Sequence, residues 1–265
     1  MRLTLLISAL KVDTDELIRK MHLSSDAVIV NQCDRDSVTE KEIDGRKIVI
    51  IESSKRGVGE SRNMCIDNSF GDILLFGDDD IVYEDGYEKK VIDEFEKHPE
   101  ADMIMFNFSV CEARRTYVNE GFKKLSKYGI GRFPAYSIAV RRECLINKNV
   151  RFSTLFGGGA KYSNGEDSLF LMDALRAGIK MYSTDTLIGM EEENESTWFN
   201  GYTEKFFFDR GVLFAFLYKK SAWLWRLRFI LVKKERYRGE IKRKEANRLM
   251  KAGIKEGFEL MKKGY

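Results

Sequence analysis

Short apolar runs alternate with helical patterns through the first 108 residues, and this alternation constrains the fold more than any other feature of the chain. The predicted strands are residues 3–9, 27–30, 47–51, 72–76 and 102–108. The predicted helices between them are residues 14–21, 59–68 and 86–98. Such an order indicates an α/β protein with a mostly parallel sheet and helices on both faces. Ligands of these sheets bind at the carboxyl ends of the strands.

The pattern changes in the second half of the chain. Residues 135–140 alternate between apolar and polar side chains, which predicts a strand, and residues 166–177 have a helical period. Asn164 is the expected N-cap of that helix, and Gly178 is expected to end it. The predicted domains are residues 1–215, which are α/β, and residues 216–265, a basic helical extension.

The charge is unevenly distributed. The net charge is +3, yet residues 218–265 hold 16 Lys and Arg against 5 Asp and Glu, while residues 1–217 hold 29 against 37. A basic tail on an acidic body predicts an anionic partner for the tail, and a solvated helical face is the alternative. With 43% hydrophobic residues the chain can bury a sizeable core, so disorder is not expected.

The sequence favours a cytosolic protein over a secreted or membrane-spanning one. The apolar residues 2–10 are interpreted as a buried strand rather than a signal core, because Asp13, Asp15 and Glu16 follow them. No apolar run is long enough to cross a bilayer. None of the four cysteines lies within metal-ligand spacing of another, and they are expected to be reduced.

Three adjacent carboxylates, Asp78, Asp79 and Asp80, follow the predicted strand 72–76. They repel one another, and a hard divalent cation gives a reason for gathering them, since Mg²⁺ and Mn²⁺ take oxygen ligands. Alternate side chains of an extended chain share a side, so Asp78 and Asp80 are expected to act together. A solvated acidic turn is the alternative.

Two further segments are candidates for chemistry. Glu166 and Asp167 open a predicted helix, where the helix dipole favours their ionised forms; this suits either capping or a general base. Residues 53–63 form a Gly-containing turn that leads into a helix with basic side chains, and such a turn can approach an anionic ligand. It is not a P-loop, because the Gly-Lys-Ser/Thr ending is absent. A plain loop-to-helix turn remains the alternative.

The order of these elements resembles glycosyltransferase family 2, which has the GT-A fold. The chain has a strand, then a turn and helix with Arg62-Asn63, then a triple Asp and later a Glu-Asp pair. The resemblance covers roughly residues 3–200 and is strongest to members that build bacterial surface or capsular polysaccharides. Family members typically have Ala-Arg-Asn before the acidic cluster, whereas this chain has Ser61 in place of the alanine.

The resemblance implies a role for each motif. Asp78 and Asp80 match the Asp-x-Asp motif that holds Mn²⁺ or Mg²⁺ against the donor diphosphate. Asp167 matches the catalytic base of inverting members, and Glu166 beside it is expected to orient the acceptor. The residues expected to contact the donor nucleotide are Ser8, Asn31, Gln32, Arg62, Asp78 and Asp79.

The chain departs from the family at two places. Asn31 and Gln32 stand where acidic residues are usual; an amide both donates and accepts, so pairing with uracil, and hence a UDP-sugar donor, is still expected. Beyond the base, many members have a histidine that helps to bind the diphosphate. This chain has a glutamate-rich run there, residues 191–195.

Together these features predict a metal-dependent glycosyltransferase that moves a sugar from a UDP-sugar to a hydroxyl of a glycan or lipid-linked glycan, with inversion and with no nucleic-acid partner. A sugar-phosphate nucleotidyltransferase is the first alternative, but residues 9–12 lack its Gly-rich pyrophosphate loop. A catalytically inactive nucleotide-sugar-binding scaffold of the same fold is the second.

The tail contains two segments of interest. Residues 221–232 are largely apolar, with Trp223, Trp225 and two arginines, as in helices that lie at a membrane interface. Residues 246–261 place apolar side chains on one helical stripe. The tail is expected either to bind an anionic inner leaflet, which would place a cytoplasmic enzyme peripherally on the membrane, or to pack against the first domain.

Overall fold

Ten strands form one sheet in the structure of the chain, a computed structural model that describes residues 1–112, 114–192, 201–232 and 239–265. The strands are β1 (Leu3–Leu10), β2 (Asp26–Gln32), β3 (Ser37–Ile43), β4 (Arg46–Ser53), β5 (Ile73–Asp78), β6 (Ile81–Tyr83), β7 (Met103–Ser109), β8 (Lys123–Lys124), β9 (Ile138–Arg141) and β10 (Met181–Glu191). The helices are α1 (Thr14–Lys20), α2 (Val58–Asp67), α3 (Tyr87–Lys97), α4 (Arg142–Asn147), α5 (Glu166–Arg176), α6 (Glu204–Tyr218), α7 (Ala222–Val232) and α8 (Arg243–Lys262).

Most of the sheet is parallel, which confirms the predicted fold class. The strand order is β3-β4-β2-β1-β5-β9-β7-β10-β6, and β8 pairs with β10. Strands β4, β2, β1 and β5 are parallel neighbours, and β7 is parallel to β10. Strand β9 lies antiparallel between β5 and β7, so those six strands all run in one direction.

The central strands are apolar because both of their faces are covered, as is usual for parallel sheets. Alternate side chains point to opposite faces: Leu5 and Ile7 pack in the cluster that includes α1 and α3, whereas Leu6 and Phe76 pack in the cluster that includes α2 and α5. Every residue of β2 is buried. This packing on two sides fixes the carboxyl ends of β1, β2 and β5, where the predicted site residues lie.

Two local predictions were wrong. Residues 135–137 form a 3₁₀ turn rather than a strand, because the Ser137 N–H donates to the carbonyl oxygen of Pro134 at 3.1 Å; the strand, β9, begins at Ile138. The N-cap of α5 is Gly165 and not Asn164. Gly165 has a φ of 113°, a conformation that suits glycine, and the helix begins at Glu166 as predicted.

The C-terminal helices α6, α7 and α8 share an apolar cluster of their own. The predicted stripe of α8 packs against α6, and its buried members are Ala246, Leu249, Met250, Gly253, Ile254 and Gly257. Helix α6 crosses the predicted boundary between residues 215 and 216, and the division of the chain into two domains stays a prediction. In the ranges that the structure describes, no helix is both long and apolar enough to span a membrane.

Gly253 lies where the backbones of α6 and α8 come closest. A methyl group there would lie 2.9 Å from the Val212 nitrogen and would overlap the carbonyl oxygen of Phe208. We therefore expect Gly253→Ala to lower the free energy of unfolding by about 1–3 kcal/mol, because α6 and α8 must separate. At a solvent-exposed helical position, Gly→Ala would instead raise the free energy of unfolding by roughly 1 kcal/mol. The sign of the change therefore shows whether Gly253 lies in a close helix contact.

Urea unfolding followed by circular dichroism measures this effect. Lys251→Ala changes an exposed residue two positions earlier on α8 and is the matched control, expected to alter stability by no more than about 0.5 kcal/mol. A Gly253→Ala protein that is as stable as the wild type would contradict the close helix contact.

Candidate active site

Ser8 and Asp78 are neighbours near the carboxyl ends of β1 and β5, because the register of these parallel strands pairs them. The hydroxyl of Ser8 bonds to that of Ser61 on α2, with 2.9 Å between the two Oγ atoms, and both side chains are buried. Strand β1 continues to Leu10, so Ser8 lies two residues before the last residue of the strand. The hydroxyl therefore has a protein partner beside the acidic residues.

Hydrogen bonds fix helix α2 at two points, just before its first turn and in its second turn. The N–H of Gly57, just before the helix, donates to Gln32 Oε1 at 2.9 Å. The side chain of Asn63 pairs with the backbone of Phe152, donating at 2.9 Å and accepting at 2.8 Å. Because these bonds join α2 to the end of β2 and to a distant loop, they fix the direction in which Arg62 projects.

The guanidinium of Arg62 links two carboxylates that come from distant parts of the chain. Its Nη2 donates to Asp78 Oδ1 at 2.8 Å, and its Nη1 donates to Asp167 Oδ1 at 2.8 Å. Nη1 also lies 3.6 Å from Glu166 Oε1. The side chain is only 4% exposed and lies against the ring of Phe152. Arg62 thus brings the end of β5 and the start of α5 together.

The charge of Arg62 is kept by its partners. Burial lowers the pKa of this guanidinium, but Asp78, Asp167 and Glu166 raise it by more, so that it lies above its ordinary value. Its Nε is buried and has no hydrogen-bond partner among the described residues. We expected Arg62 at the nucleotide; its observed contacts are with carboxylates, and the nucleotide contact stays a prediction.

Asp167 is half-buried at the first turn of α5. Its Oδ2 accepts a hydrogen bond from the Ala135 N–H at 3.2 Å, while Oδ1 pairs with Arg62. Burial, with a smaller contribution from the charges of Glu166 and Asp78, raises the pKa of Asp167 to about 7, although Arg62 opposes the shift. A carboxylate whose pKa lies near neutrality is suited to take up a proton during a reaction.

The acidic cluster 78–80 turns away from the end of β5. Asp79 accepts a hydrogen bond from the Leu10 N–H at 3.1 Å, so its side chain is directed to β1. Burial and the charges of Asp78, Glu191 and Asp79 together raise the pKa of Asp80 to about 7. The pKa of Asp79 is also raised, chiefly by burial. These carboxylates lie near enough to one another to disfavour full ionisation.

A cation would relieve this repulsion, and hard oxygen donors suit Mg²⁺ or Mn²⁺. Within the residues that the structure describes, no group of three or more His, Cys, Asp or Glu side chains is arranged to hold a metal ion. A cation held by Asp78 and Asp80 would need its remaining ligands from outside the protein, and this metal site stays a prediction. Such partial coordination is usual where Mg²⁺ bridges to substrate phosphates.

The two amides expected at uracil have partners within the protein. Asn31 closes the segment after β1, since its Nδ2 donates to the carbonyl oxygen of Val12 at 3.0 Å and its Oδ1 accepts from the Val12 N–H at 3.2 Å. Gln32 Oε1 accepts from Gly57. Each amide keeps further hydrogen-bonding capacity, and a contact with the base stays a prediction.

Sequence reasoning did not assign a role to Glu191, which the structure places beside the acidic cluster. Strand β10 pairs antiparallel with β6 and sets Glu191 opposite Ile81, the residue after Asp80. Its carboxylate pairs with Arg114 at 2.5 Å. The sequence does not show that one glutamate of this run lies beside Asp80, because that place depends on strand β10, which was not predicted. Residues 193–195 of the same run lie outside the described residues.

With this geometry established, comparison with known proteins gives the family. The sequence pattern described as "Glycosyl transferase family 2" matches residues 15–152, slightly more than half of the chain. The chain belongs to glycosyl transferase family 2. A curated relative from Haemophilus influenzae, named an uncharacterized glycosyltransferase, is 29% identical over 109 residues, which are 41% of this chain and 35% of that protein. The match thus spans about a third of that relative's length.

Solved structures agree with this assignment. The crystal structure of S. aureus TarS 1-349 matches with a TM-score of 0.62 and 13% identity, over 91% of this chain and 76% of that one. The structure of TarS 1-349 in complex with UDP-GlcNAc matches with a TM-score of 0.60 and 14% identity, over 98% and 73% of the two chains. At this level of identity the likeness shows the fold, which is GT-A.

The ion pairs of Arg62 generate a stability prediction. Arg62→Met removes the cation and leaves Asp78, Glu166 and Asp167 facing one another, so we expect a loss of about 3–5 kcal/mol at neutral pH. Protonation relieves the repulsion between carboxylates. The variant should therefore regain stability as the pH falls, whereas the wild type should not.

Chemical denaturation between pH 5 and pH 8 measures both parts of this prediction. Arg151→Met is the matched control, because its partner Asp67 is exposed and the ion pair lies at the surface. If Arg62→Met lowers the free energy of unfolding by the same amount at every pH, the loss comes from packing and not from repulsion between the carboxylates.

Proposed function

We propose that this chain is an inverting, metal-dependent hexosyltransferase that moves a sugar from a UDP-sugar to an acceptor hydroxyl. The observation that carries the proposal is the pair of bonds from Arg62 to Asp78 and Asp167. One side chain thereby holds the carboxylate expected at the donor and the carboxylate expected at the acceptor. A displacement reaction needs its two reactants aligned at one point, and this arrangement supplies that alignment.

A UDP-sugar donor is supported by the fold, since a protein with this fold has been crystallised with UDP-GlcNAc. Asp78 and Asp80 are the carboxylates that would hold Mn²⁺ or Mg²⁺. Bound there, the ion would supply Lewis-acid stabilisation of the departing diphosphate. Ser8, Asn31, Gln32 and Asp79 lie along the neighbouring strand ends, and we assign them to the nucleotide.

Asp167 is the proposed base. It takes the proton of the acceptor hydroxyl, whose oxygen attacks the anomeric carbon while the bond from that carbon to the diphosphate breaks. The raised pKa matches this task, because a base that titrates near pH 7 is free to accept a proton and basic enough to hold it. Glu166, at the same helix start, would orient the acceptor.

Two alternatives are less well supported. Membership of the family favours transfer of a sugar over transfer of a nucleotide, which disfavours a sugar-phosphate nucleotidyltransferase. An inactive scaffold has no need of a base with a raised pKa beside a metal site. The resemblance of the motifs to family members that build bacterial surface polysaccharides is the basis for proposing a role in polysaccharide or glycoconjugate biosynthesis, with a glycan or lipid-linked glycan as the acceptor.

The metal assignment is tested with Asp80→Asn. We expect this variant to lose sugar transfer and to lose the part of UDP affinity that depends on Mn²⁺, because the amide removes a charged ligand. Its stability should not fall, since one repelling carboxylate is gone. Titration calorimetry with UDP, with and without Mn²⁺, gives the binding result. Asp85→Asn, at a nearby exposed residue, is the control. Full wild-type activity in excess EDTA would rule out the metal.

The base is tested with Asp167→Asn, which keeps the shape of the side chain. We expect turnover to fall by about a hundredfold or more while UDP affinity is kept. In the wild type the deprotonated form is active, so turnover should fall as the pH is lowered through about 7, the pKa of Asp167. Asp173→Asn, on the exposed side of α5, should keep both the rate and the pH profile. Loss of donor binding in Asp167→Asn would mark a structural role.

Peripheral contact with an anionic membrane is proposed for α7 rather than α8. Leu224, Leu227 and Leu231 are 69%, 46% and 56% exposed and recur at helical spacing, so they share one face. Apolar side chains beside basic residues are typical of interfacial helices.

Sedimentation with phosphatidylglycerol vesicles tests this contact. We expect Leu224→Ser with Leu227→Ser to reduce the bound fraction, whereas Val38→Ser, at another exposed apolar residue, should leave it unchanged. Binding that is indifferent to the two leucines, or to the anionic lipid, would rule out α7 as the contact.

A further inference from the structure

A cavity of about 670 Å³ lies beside the proposed base, between the segment 127–132 and helices α5, α6 and α7. Ser168 and Met172 line it from α5. Ser168 directly follows Asp167, and its Oγ donates to the Gly131 carbonyl oxygen at 3.3 Å. A group bound in this cavity would therefore lie against the residue that follows the proposed base, on the side of α5 that faces α6 and α7.

The charged side chains that line this cavity all carry one sign. They are Lys127, Arg132, Arg210 and Arg228, and no Asp or Glu is among the described residues that line the cavity. Within the described part of the chain, none of the four forms an ion pair with a carboxylate. Lys127, Arg132 and Arg228 are exposed and Arg210 is partly buried, so an anion bound in the cavity would meet cations from the segment 127–132, from α6 and from α7.

Among the four cations, Arg210 gives the strongest reason to expect a bound anion. Its guanidinium lies near two aromatic rings, 5.0 Å from the centre of Phe206 and 5.8 Å from that of Phe229. The Nε is buried and lacks a hydrogen-bond partner among the residues described. Burial lowers the pKa of Arg210, and no carboxylate offsets this. A buried cation of this kind is unfavourable for folding, so a ligand gives a reason for its presence.

The cavity also has an apolar wall. Trp225 and Tyr218 line it and stack on each other, with 4.4 Å between their ring centres and 13° between their planes. Flat aromatic surfaces pack against the apolar face of a sugar or polyol, while the arginines offer the paired N–H donors that suit phosphate oxygens. The combination fits a ligand that carries both kinds of group.

We propose that this cavity binds a phosphate group of the acceptor, so that the enzyme selects an acceptor whose reacting hydroxyl lies close to a phosphate ester. This assignment rests on the proposed function, since it takes Asp167 as the base that receives the hydroxyl proton. It places the anionic acceptor group on the basic side of α5 and leaves the acidic edge of the sheet to the metal and the donor.

Binding of glycerol phosphate tests the proposal without the donor reaction. Calorimetry in EDTA excludes the metal-dependent donor site, so the outcome does not depend on whether the chain transfers sugar. We expect binding to the wild type, weakened about tenfold or more by Arg210→Met and by Arg228→Gln. Lys220→Gln, which removes an exposed charge just before α7, is the matched control and should bind as the wild type does.

Stability separates a ligand-binding role of Arg210 from a structural one. Because no described carboxylate pairs with this cation, Arg210→Met should be at least as stable as the wild type. If Arg210 had a structural role, its replacement would instead lower the free energy of unfolding. Absence of glycerol phosphate binding, or binding that both variants retain, would overturn the proposal. Binding to phosphatidylglycerol vesicles that Arg210→Met removes, but that Leu224→Ser with Leu227→Ser leaves intact, would instead assign the cavity to lipid headgroups and overturn the acceptor assignment.

Discussion

The guanidinium of Arg62 is the contact on which the proposed site depends. It is buried, and it bonds to Asp78 at the end of β5 and to Asp167 at the start of α5. A buried ion pair adds little net stability compared with apolar residues of the same size. Its value here is geometric, because it sets the distance between two carboxylates that belong to different elements. The anchoring of α2 at Gly57 and Asn63 serves the same end, since it holds the arginine in place.

Much of the fold follows from the sequence, for a physical reason. Strands covered on both faces are apolar throughout, and β1, β2, β4, β5 and β7 were all predicted from such runs. Strand β3 was missed because it is an exposed edge strand in which charged and polar residues dominate. Strand β10 was missed because irregular register shifts near Leu187 break its alternation.

The site was harder to predict than the fold. The acidic cluster and the Glu166-Asp167 pair were each visible in the sequence, but their nearness was expected only from the resemblance to the family. The partners of Arg62 were not predicted, because a sequence shows that a side chain is charged and not which opposite charge it meets. Glu191 was missed for a similar reason: its place beside Asp80 depends on the pairing of β10 with β6.

Charged side chains gather in two regions near α5, one acidic and one basic. Carboxylates gather at the strand ends, where Asp80 and Glu191 both have a raised pKa, with burial as the largest cause. Cations gather in the cavity between α5, α6 and α7, and the described residues that line it include no Asp or Glu. We propose a metal in the first region and an anion in the second. Asp167 is bonded through Arg62 to the first region and directly precedes Ser168, which lines the second.

The central claim is that the acidic edge binds a nucleotide-sugar diphosphate through a divalent cation. The most direct measurement is the thermal stability of the wild-type protein against a panel of nucleotide sugars, each with Mn²⁺ and with EDTA, since a ligand bound only by the native state raises the unfolding temperature. The account predicts stabilisation by UDP-sugars with Mn²⁺ and none with EDTA. Stabilisation that is equal in EDTA, or that no nucleotide sugar produces, would contradict it.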